Sequence, residues 1–429
     1  MSGFELNTLQ RIAVVGRGTA GSLAAATVSK LGESNEIELH HIYDSGIPVI
    51  GVGEGGWPAL VTQLHDLTEI PHENIQQRLK ATRKYGVRFE GWGKLNKDFT
   101  HYFTPQQIGY SYHLSADLIT ELLKEATNAQ HIDDNVISIT KTGKGAEIVF
   151  EKRPSEHYDL VFDARGFPKS IDEEQHITIP FIPTNTAIIR RCPSIINQKI
   201  QGPYLHPTYT RSIARPHGWV FVIPLTSHTS YGYIFNNNCS DFDEVESDFD
   251  NLLDIEGITE FEKRAVISFP NFVHRQMYDG TIARIGNAGA FMEPLEATAI
   301  VSAQLQIGMV LRIRQNRPSE YMEGDIKPVN NFLINSMLGY GLFVGWHYSC
   351  GSKYQSAFWR YASMDVWPIY RSGIDLGAGK YTALEKFDSM LELLNNPVID
   401  KVDLIRQGSL PITSFAQISH GLGCYPLLQ

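Results

Sequence analysis

The sequence lacks the features that mark several special classes of protein. It contains no run of about 18 apolar residues, so we expect no helix that spans a membrane. The N-terminal segment MSGFELNTLQ has no basic region followed by an apolar run, so we expect no secretion signal. The formal net charge is −10 and no basic run occurs, so neither nucleic acid nor an anionic membrane is an expected partner.

Cysteine is also scarce. The four cysteines, Cys192, Cys239, Cys350 and Cys424, lie far apart and show no CxxC pair or metal-ligand spacing. This pattern predicts free thiols that pack as small apolar side chains in a reducing compartment. We therefore expect a cytoplasmic protein with no bound metal.

The bulk composition is that of an ordinary globular enzyme. The 429 residues are 42% hydrophobic and 20% charged, and they include no repeat or low-complexity segment. A chain of this length can bury a large core and form more than one lobe.

A glycine pattern near the N-terminus predicts a dinucleotide site. The apolar run Ile12 to Val15 leads into Gly16, Gly18 and Gly21, and an Ala-rich segment that starts at Thr19 and Ala20 follows. The first glycine permits a tight turn, the second leaves room for a pyrophosphate, and the third allows close packing of helix on strand. The strand before and the helix after make the pattern specific.

Two further stretches extend this prediction. Asp44, after the apolar strand Ile37 to Tyr43, is the nearest candidate for the acid that binds an adenosine ribose. Gly51, Gly53 and Gly56 repeat the glycine spacing around Glu54, without a clear strand and helix beside them. We interpret this second pattern as a flexible loop against a ligand.

The stretch Gly286 to Ile300, GNAGAFMEPLEATAI, predicts a second ligand contact. Gly286 and Asn287 follow an apolar run, and small residues at the start of a helix let backbone N–H groups approach an anion. Glu293 and Glu296 lie in apolar surroundings, where a carboxylate is costly unless it is paired or functional. One of them is therefore a site candidate, although a helix start with two solvated acids remains the alternative.

A lysine and several aromatic residues are further candidates. Lys84 lies among aromatic residues in KYGVRFEGW, where a desolvated amine would have an altered pKa; a surface lysine is the alternative. His101 and Phe103 could present a flat face to a ring-shaped substrate, or pack in the core. In GWVFVIPL, Trp219 and Phe221 lie on one face of a predicted strand. They could pack as a buried aromatic wall of the core, or they could separate two chemical compartments of a site.

Together these segments resemble the flavin-dependent halogenases, the group that includes the tryptophan halogenases. The resemblance is carried by the glycines at 16 to 21, by IPVIGVGEGGWP, KYGVRFEGW, FDARGF and GWVFVIPL, and by the stretch that contains EPLE. It implies an α/β fold: a Rossmann-like FAD-binding box of the flavin monooxygenase type, an antiparallel β-sheet substrate region and C-terminal helices. We assign residues 8–60, 130–168 and 270–314 to the FAD-binding box, and 61–129, 169–269 and 315–429 to the substrate-binding region.

The resemblance also implies cofactors and roles. Reduced FAD reacts with O2 to oxidise halide, and hypohalous acid travels to Lys84, which presents the halogen to an aromatic ring while Glu296 takes the ring proton. The FAD contacts fall on Gly16, Gly18, Thr19, Ala20, Gly21, Asp44, Gly53, Glu54, Gly286 and Asn287. The halide contacts fall on Thr298 and Ala299, and the substrate contacts on His101, Phe103, Pro294, Trp219 and Phe221. A separate flavin reductase would supply reduced FAD, because no second convincing dinucleotide site is present.

Departures from the family pattern point to an unusual substrate or halide. Phe221 replaces the second tryptophan of the family's WxW motif, which keeps an aromatic ring but removes an N–H group. Ala299 stands where relatives carry glycine at the halide contact, so we hypothesise that bromide or iodide is preferred to chloride. Phe415 and Ala416 occupy the C-terminal region where tryptophan halogenases bind the amino acid. We therefore expect an indole, phenol or other electron-rich aromatic in preference to free tryptophan.

Three other functions compete with this interpretation. A flavin-dependent hydroxylase would insert oxygen instead of halogen, a nicotinamide-dependent dehydrogenase begins with the same glycines, and a flavin carrier would have no catalysis. Lys84, Glu296 and Trp219 argue against the hydroxylase. The lack of a second convincing dinucleotide site argues against the dehydrogenase, and a flavin carrier would leave Lys84 and Glu296 unexplained. The natural substrate, the site of substitution on the ring and the oligomeric state are left open.

Overall fold

A computed structural model of the chain describes residues 9–32, 37–47, 53–103, 108–197, 209–316, 323–372, 375–377, 382–395 and 410–423. The strands are β1 Arg11–Val15, β2 Glu38–Tyr43, β3 Gly53–Gly55, β4 Thr82–Lys84, β5 Gly86–Glu90, β6 Phe99–Tyr102, β7 Ser111–Ser115, β8 Gln130–Asp133, β9 Val136–Thr142, β10 Gly145–Phe150, β11 Glu156–Tyr158, β12 Leu160–Asp163, β13 His176–Thr178, β14 Thr186–Cys192, β15 Tyr209–Arg215, β16 Gly218–Pro224, β17 Thr229–Phe235, β18 Glu262–Ser268, β19 Phe272–His274, β20 Ile282–Arg284 and β21 Ala290–Phe291. The helices are α1 Thr19–Leu31, α2 Pro58–Thr68, α3 His72–Arg78, α4 Ala116–Glu125, α5 Phe242–Ile255, α6 Thr298–Asn316, α7 Glu323–Trp346, α8 Ala357–Arg360, α9 Ala383–Asn395 and α10 Ile412–Leu422.

A parallel five-stranded sheet forms the first half of the fold, in the order β20-β12-β1-β2-β8. The pairs formed by β1 with β2 and β12, by β12 with β20 and by β2 with β8 are all parallel. Parallel sheets bury both faces, which accounts for the unbroken apolar run in β1. The predicted Rossmann-like arrangement of strand, glycine turn and helix is confirmed.

A mixed seven-stranded sheet forms the second half, in the order β18-β14-β17-β16-β15-β5-β6. All neighbours are antiparallel except β15 and β5. On β16, Trp219, Phe221 and Ile223 face the main core, while Val220 and Val222 pack toward α5. The predicted antiparallel sheet is thus confirmed, with one parallel pair inside it.

A small antiparallel sheet, β3-β7-β4, connects the two halves. Gly53 pairs with Ser115 on one edge of β7, and Lys84 pairs with Ser111 on the other edge. The prediction of a flexible loop is therefore wrong for Gly53–Gly55, because this segment is held in a strand by ladder hydrogen bonds. Gly51 lies outside the described residues.

The stretch after β20 does not become a helix at once. Gly286–Ala288 forms a single 3-10 turn, Ala290–Phe291 is a short strand, Leu295–Ala297 is another 3-10 turn, and α6 begins only at Thr298. Glu296 and Ala297 both have left-handed backbone angles, with φ of 65° and 55°, which no continuous helix can contain. The expected early helix start is therefore wrong by about three turns.

The C-terminal helices pack on one another through aromatic side chains. Trp346 of α7 packs on Phe387 of α9 and stacks on Phe415 of α10. None of the helices in the described part of the chain combines the length and hydropathy needed to cross a bilayer. Cys192 and Cys239 are free thiols, whereas Cys350 is part of a disulfide, so the expectation of free thiols is wrong for Cys350.

Candidate active site

One cavity of about 990 Å³ extends from the glycine turn of the parallel sheet to Lys84 and Glu296. It brings together most of the residues that the sequence singles out. The lining includes Gly16, Gly18, Thr19, Ala20, Asp44, Gly53, Glu54, Lys84, Trp219, Phe221, Gly286, Asn287, Pro294, Glu296 and Ala299. The remaining candidates, Gly21, His101, Phe103 and Thr298, lie outside this lining.

The glycine turn has the shape that a dinucleotide requires. Gly16 has φ of 113°, and a Cβ there would lie 2.4 Å from the carbonyl oxygen of Ala164. A Cβ on Gly21 would lie 2.0 Å from the carbonyl oxygen of Gly16, whereas a Cβ on Gly18 would meet nothing within 4 Å. The three glycines therefore provide the turn, the helix contact and an open space at the start of α1, which suits a pyrophosphate.

Two acids line the dinucleotide end of the cavity. Burial raises the pKa of Glu54 to about 7, although Thr19 Oγ1 donates a hydrogen bond of 2.7 Å to its Oε2. Asp44 lies just past the end of β2 and accepts a hydrogen bond of 2.8 Å from the backbone N–H of Gly46. Its place in the lining is compatible with a ribose contact, which stays a prediction.

Lys84 is a buried amine without a partner. Its side chain is fully buried, and Nζ forms no hydrogen bond with any of the described residues. Nζ lies 5.5 Å from the centre of the Phe103 ring. Burial lowers the pKa of Lys84 to about 8, and the negative charge of Glu296 acts in the opposite direction. Lys84 is therefore not the surface lysine that the sequence left as the alternative.

Neutral groups surround the amine. A Cβ on Gly55 would lie 3.0 Å from Nζ of Lys84 and 3.6 Å from Oγ1 of Thr210. Thr82 Oγ1 donates its one hydrogen to the carbonyl oxygen of Pro224, so it accepts a hydrogen bond from Nδ1–H of His113. Nε2 of a neutral His113 ring carries no hydrogen and therefore accepts a hydrogen bond from the hydroxyl of Thr210. Burial, followed by the charge of Lys84, lowers the pKa of His113 well below its ordinary value. A neutral His113 adds no second positive charge.

The backbone at Glu296 is strained and fixed in place. Its φ of 65° is in the left-handed region, which a residue with a side chain seldom adopts. Its carbonyl oxygen accepts a hydrogen bond of 2.8 Å from Nε1 of the Trp57 indole. Left-handed strain of this kind is often retained at functional sites. Here it directs the carboxylate away from the course of α6.

Two histidines hold the Glu296 carboxylate. His101 Nδ1 lies 2.8 Å from Oε2, and His347 Nε2 lies 3.1 Å from Oε1. Burial favours the protonated acid, but the charges and hydrogen bonds of His101 and His347 outweigh it and hold the pKa of Glu296 well below its usual range. Glu296 is therefore an anion at neutral pH.

The second carboxylate of the motif, Glu293, lies in a different environment. It accepts hydrogen bonds from Thr184 and from the hydroxyl of Tyr348, the latter at 2.7 Å. Burial raises the pKa of Glu293 to about 7 despite these donors. Glu293 is absent from the cavity lining, so Glu296 is the better candidate of the two.

Several other candidate residues differ from their expected surroundings. His101 is buried, and its Nε2 lies 2.8 Å from the hydroxyl oxygen of Ser414. Both ring nitrogens of His101 therefore contact protein groups. Phe103 is half-buried beside Lys84. Thr298 is buried at the start of α6, whereas Ala299 is exposed to the cavity. The contacts of His101 indicate a role in holding Glu296, and its predicted substrate contact stays a prediction.

Trp219 and Phe221 are two neighbouring aromatic residues in the lining of the cavity. Their ring centres lie 6.4 Å apart on the same face of β16, as the alternation of the strand predicts. Trp219 packs edge-on against Trp92, 6.1 Å away, which fixes the indole from behind. The Trp219 indole is therefore held between Trp92 and Phe221.

Sequence reasoning did not find four residues of this site, namely Trp57, His113, Thr210 and His347. Trp57 ends a segment that stands out for its glycines, and His347 occurs in an aromatic segment, WHYSC. Nothing in the local sequence shows that either would reach Glu296, from which they lie 239 and 51 positions away.

The chain matches known proteins over most of its length. A family model described as tryptophan halogenase matches residues 11–109 and 104–397. A tryptophan 6-halogenase from Streptomyces toxytricini is 21% identical over 436 residues, which cover 82% of this chain and 80% of the relative. A tryptophan 7-halogenase from Lentzea aerocolonigenes is 22% identical, with 82% of this chain and 78% of the relative covered.

Solved structures share the fold. The crystal structure of the Streptomyces toxytricini enzyme has a TM-score of 0.79 at 18% identity, covering 97% of this chain and 91% of that one. A flavin-dependent halogenase from Brevundimonas has a TM-score of 0.76 at 20% identity, with 98% and 91% covered.

Proposed function

Because the chain belongs to the tryptophan halogenase family, we propose that it transfers an oxidised halogen from Lys84 to an electron-rich aromatic ring. The chain is a flavin-dependent halogenase, and halogenation of an aromatic substrate is its reaction class. The observation that carries the finer proposal is the buried, unpartnered amine of Lys84, which lines the same cavity as the glycine turn at Gly18.

The cofactor site would hold FAD. The open space at Gly18 and the start of α1 would accept the pyrophosphate, with Gly286 and Asn287 on the opposite wall. When bound, reduced FAD would activate O2, and O2 is the oxidant that accepts two electrons from the flavin and two from the halide as the halide is converted to hypohalous acid. A separate flavin reductase would deliver the reduced form.

Lys84 would receive the halogen. With its pKa lowered to about 8, a substantial share of the amine is neutral just above neutral pH, which leaves a lone pair on Nζ. That lone pair can accept a hydrogen bond from hypohalous acid, or form an N–X bond while water leaves. The lack of a competing partner among the described residues keeps the nitrogen available.

Glu296 would complete the substitution. The ring carbon attacks the halogen, the bond from the halogen to its carrier breaks, and the carboxylate takes the ring proton. Because His101 and His347 stabilise the anion, the acceptor is ready before the proton is released. A proton then returns to the Lys84 nitrogen.

Trp219 and Phe221 would separate the organic substrate from the flavin. Their rings line the cavity that also contains the glycine turn and Lys84, and Trp92 packs against Trp219. A small inorganic oxidant can pass where an aromatic ring cannot. The halide would bind near the exposed Ala299 at the start of α6, where helix N–H groups favour an anion.

The substrate we propose is an indole, a phenol or a related electron-rich aromatic. The named relatives act on tryptophan, but in this chain Phe415 is fully buried and packs on Phe343 and Trp346. It therefore presents no aromatic surface to a bound amino acid. Pro294, in the cavity lining beside Glu296, would contact the ring.

Mass spectrometry of products tests this proposal. The protein is incubated with FAD, a flavin reductase, NADH, O2 and a panel of indoles and phenols, with chloride, bromide, iodide or no halide. We expect products that carry the isotope pattern or mass of the supplied halogen. Oxygenated product that forms equally without halide would support a hydroxylase instead, and flavin binding without product from any substrate would contradict the proposed substrate class.

A further inference from the structure

The hydroxyl of Thr210 lies beside the amine of Lys84. Thr210 belongs to β15, is buried, and lines the same cavity as the lysine. A Cβ on Gly55 would lie 3.6 Å from Oγ1 of Thr210, 3.0 Å from Nζ of Lys84 and 3.4 Å from Cβ of Ala297. The space that Gly55 leaves open is therefore bounded by one amine, one hydroxyl and one methyl group.

A chain of hydrogen bonds fixes the direction of this hydroxyl. The carbonyl oxygen of Pro224 only accepts, so Thr82 donates to it, at 2.7 Å. Thr82 Oγ1 has no second hydrogen to give, so it accepts from Nδ1–H of His113 at 3.0 Å. Nε2 of His113 then accepts the hydrogen of the Thr210 hydroxyl at 2.9 Å. The oxygen of Thr210 is left with lone pairs only for any further partner.

The surroundings of His113 agree with a ring that carries one hydrogen. His113 lies on β7 between Gly55 and Thr82, and its side chain is fully buried. Within the described ranges no carboxylate contacts the ring, and its hydrogen bonds go to two threonine hydroxyls. Burial, followed by the charge of Lys84, lowers the pKa of His113 well below its ordinary value. Thr210 therefore donates to the ring and accepts elsewhere.

An acceptor beside an amine selects its ligand by chemistry. The oxygen of Thr210 repels a halide or hypohalite anion, because neither has a hydrogen to donate. A hypohalous acid molecule has one O–H group to donate and one halogen that a nitrogen lone pair can approach. Thr210 has no other side-chain hydrogen bond in the described part of the chain, so its lone pairs are available to such a molecule.

We propose that Thr210 binds the hypohalous acid by accepting its O–H hydrogen, which turns the halogen toward Nζ of Lys84. The inference rests on the proposed function, which supplies the acid. If an N–X bond forms, the nitrogen lone pair attacks the halogen and the X–O bond breaks. The departing oxygen takes a hydrogen from the amine and leaves as water. Thr210 holds that oxygen on the side away from the nitrogen, where a leaving group must lie.

Nitrogen NMR of the His113 ring tests the direction of the hydrogen bonds without halide, substrate or turnover. The chain has 15 histidines, so the ring is assigned by the loss of its signals in His113→Gln. We expect the ring hydrogen on Nδ1, because the partner of each nitrogen decides which one carries it. Thr210→Val should shift the Nε2 signal, and Thr210→Ser should not. A hydrogen on Nε2 would overturn the inference, since the Thr210 hydroxyl would then be free to donate into the cavity.

The yield of product per O2 consumed tests the role of the hydroxyl. Thr210→Val removes the hydroxyl and keeps the shape, and Thr210→Ser is the matched control that keeps the hydroxyl. With FAD, a flavin reductase, NADH, bromide and an accepted indole, we expect the valine variant to consume O2 normally. It should give about 3- to 10-fold less brominated indole, and a soluble trap for hypobromous acid should collect the difference. The serine variant should give the normal yield.

Comparison with Lys84→Ala separates this inference from the proposed function. A loss of product in Lys84→Ala together with equal yields from Thr210→Val and Thr210→Ser would overturn the role of Thr210 alone. Normal bromination by Lys84→Ala would overturn the proposed function, and the role of Thr210 with it.

Discussion

Gly55 lies directly against the amine of Lys84, since a Cβ on Gly55 would be 3.0 Å from Nζ and 3.4 Å from Cβ of Ala297. In the reaction that we propose, an oxidised halogen on Nζ would lie in the space between Gly55 and Lys84. The small sheet of β3, β7 and β4 fixes this distance, because Gly55 and Lys84 pair with the two edges of β7.

We predict that Gly55→Ala lowers kcat/KM for halogenation by about 10- to 100-fold, because the added methyl group displaces Nζ or the incoming halogen. Steady-state kinetics with the best substrate and halide measure this loss. The control is Gly143→Ala, whose added Cβ would meet nothing within 4 Å. Equal kinetics in the two variants would show that the halogen does not pass between Gly55 and Lys84.

Two glycines of the dinucleotide turn should respond differently to the same substitution. Gly18→Ala should weaken FAD binding by about tenfold or more with unchanged stability, because its Cβ enters the open space that the pyrophosphate needs. Gly21→Ala should lower the stability by about 1–3 kcal/mol, because its Cβ collides with the carbonyl oxygen of Gly16. Flavin titration and chemical denaturation separate the two effects. The cofactor assignment fails if Gly18→Ala binds FAD as tightly as the unaltered protein.

The buried amine should cost stability in a defined pH range. The pKa of Lys84 falls from 10.5 to about 8 on folding, so the folded state binds fewer protons than the unfolded state between these values, and its stability rises across that range. Lys84→Met should therefore be more stable than the unaltered protein by a few kcal/mol at pH 7. The difference should shrink as the pH is raised toward about 10.5, where the unfolded lysine also loses its proton.

Urea denaturation of both proteins at several pH values measures this difference, in which the titration of all other groups cancels. A stability gain that is the same at every pH would come from packing of the methionine side chain. That result would contradict the lowered pKa of Lys84.

Halide preference should depend on the residue at the start of α6. We predict that Ala299→Gly increases the yield of chlorinated over brominated product, because removal of the exposed methyl group lets the smaller anion approach the backbone. Competition in equimolar chloride and bromide gives the ratio directly. Ala303→Gly, one turn further along α6 and also in the lining, controls for the weaker helix. Identical ratios in the two variants would rule out Ala299 as a halide contact.

Much of the site follows from local sequence. The roles of Gly16, Gly18 and Gly21 could be predicted because each depends on backbone shape within a single turn. The alternation in β16 likewise placed Trp219 and Phe221 on one face. Lys84 and Glu296 were candidates because of the apolar and aromatic residues around them, and both side chains are buried. The family resemblance supplied the roles proposed for them.

The remainder depends on contacts between distant parts of the chain. His101 and His347 reach Glu296 across 195 and 51 positions, so no local pattern reveals them. Pattern reasoning also placed a helix start too early, because it could not anticipate the left-handed angles at Glu296 and Ala297. It mistook Gly53–Gly55 for a loop because its partner, β7, lies about 60 positions further along the chain.

The central claim is that Lys84 carries the halogen to the substrate, and comparison of Lys84→Ala with Lys94→Ala tests it most directly. Lys94 is an exposed lysine on the same part of the chain. With reduced FAD, O2, bromide and an accepted indole, we expect Lys94→Ala to give the normal amount of brominated product. Lys84→Ala should give at least about 100-fold less while it binds FAD and consumes O2 at the normal rate. Undiminished bromination by Lys84→Ala, at the same position of the ring, would contradict the account.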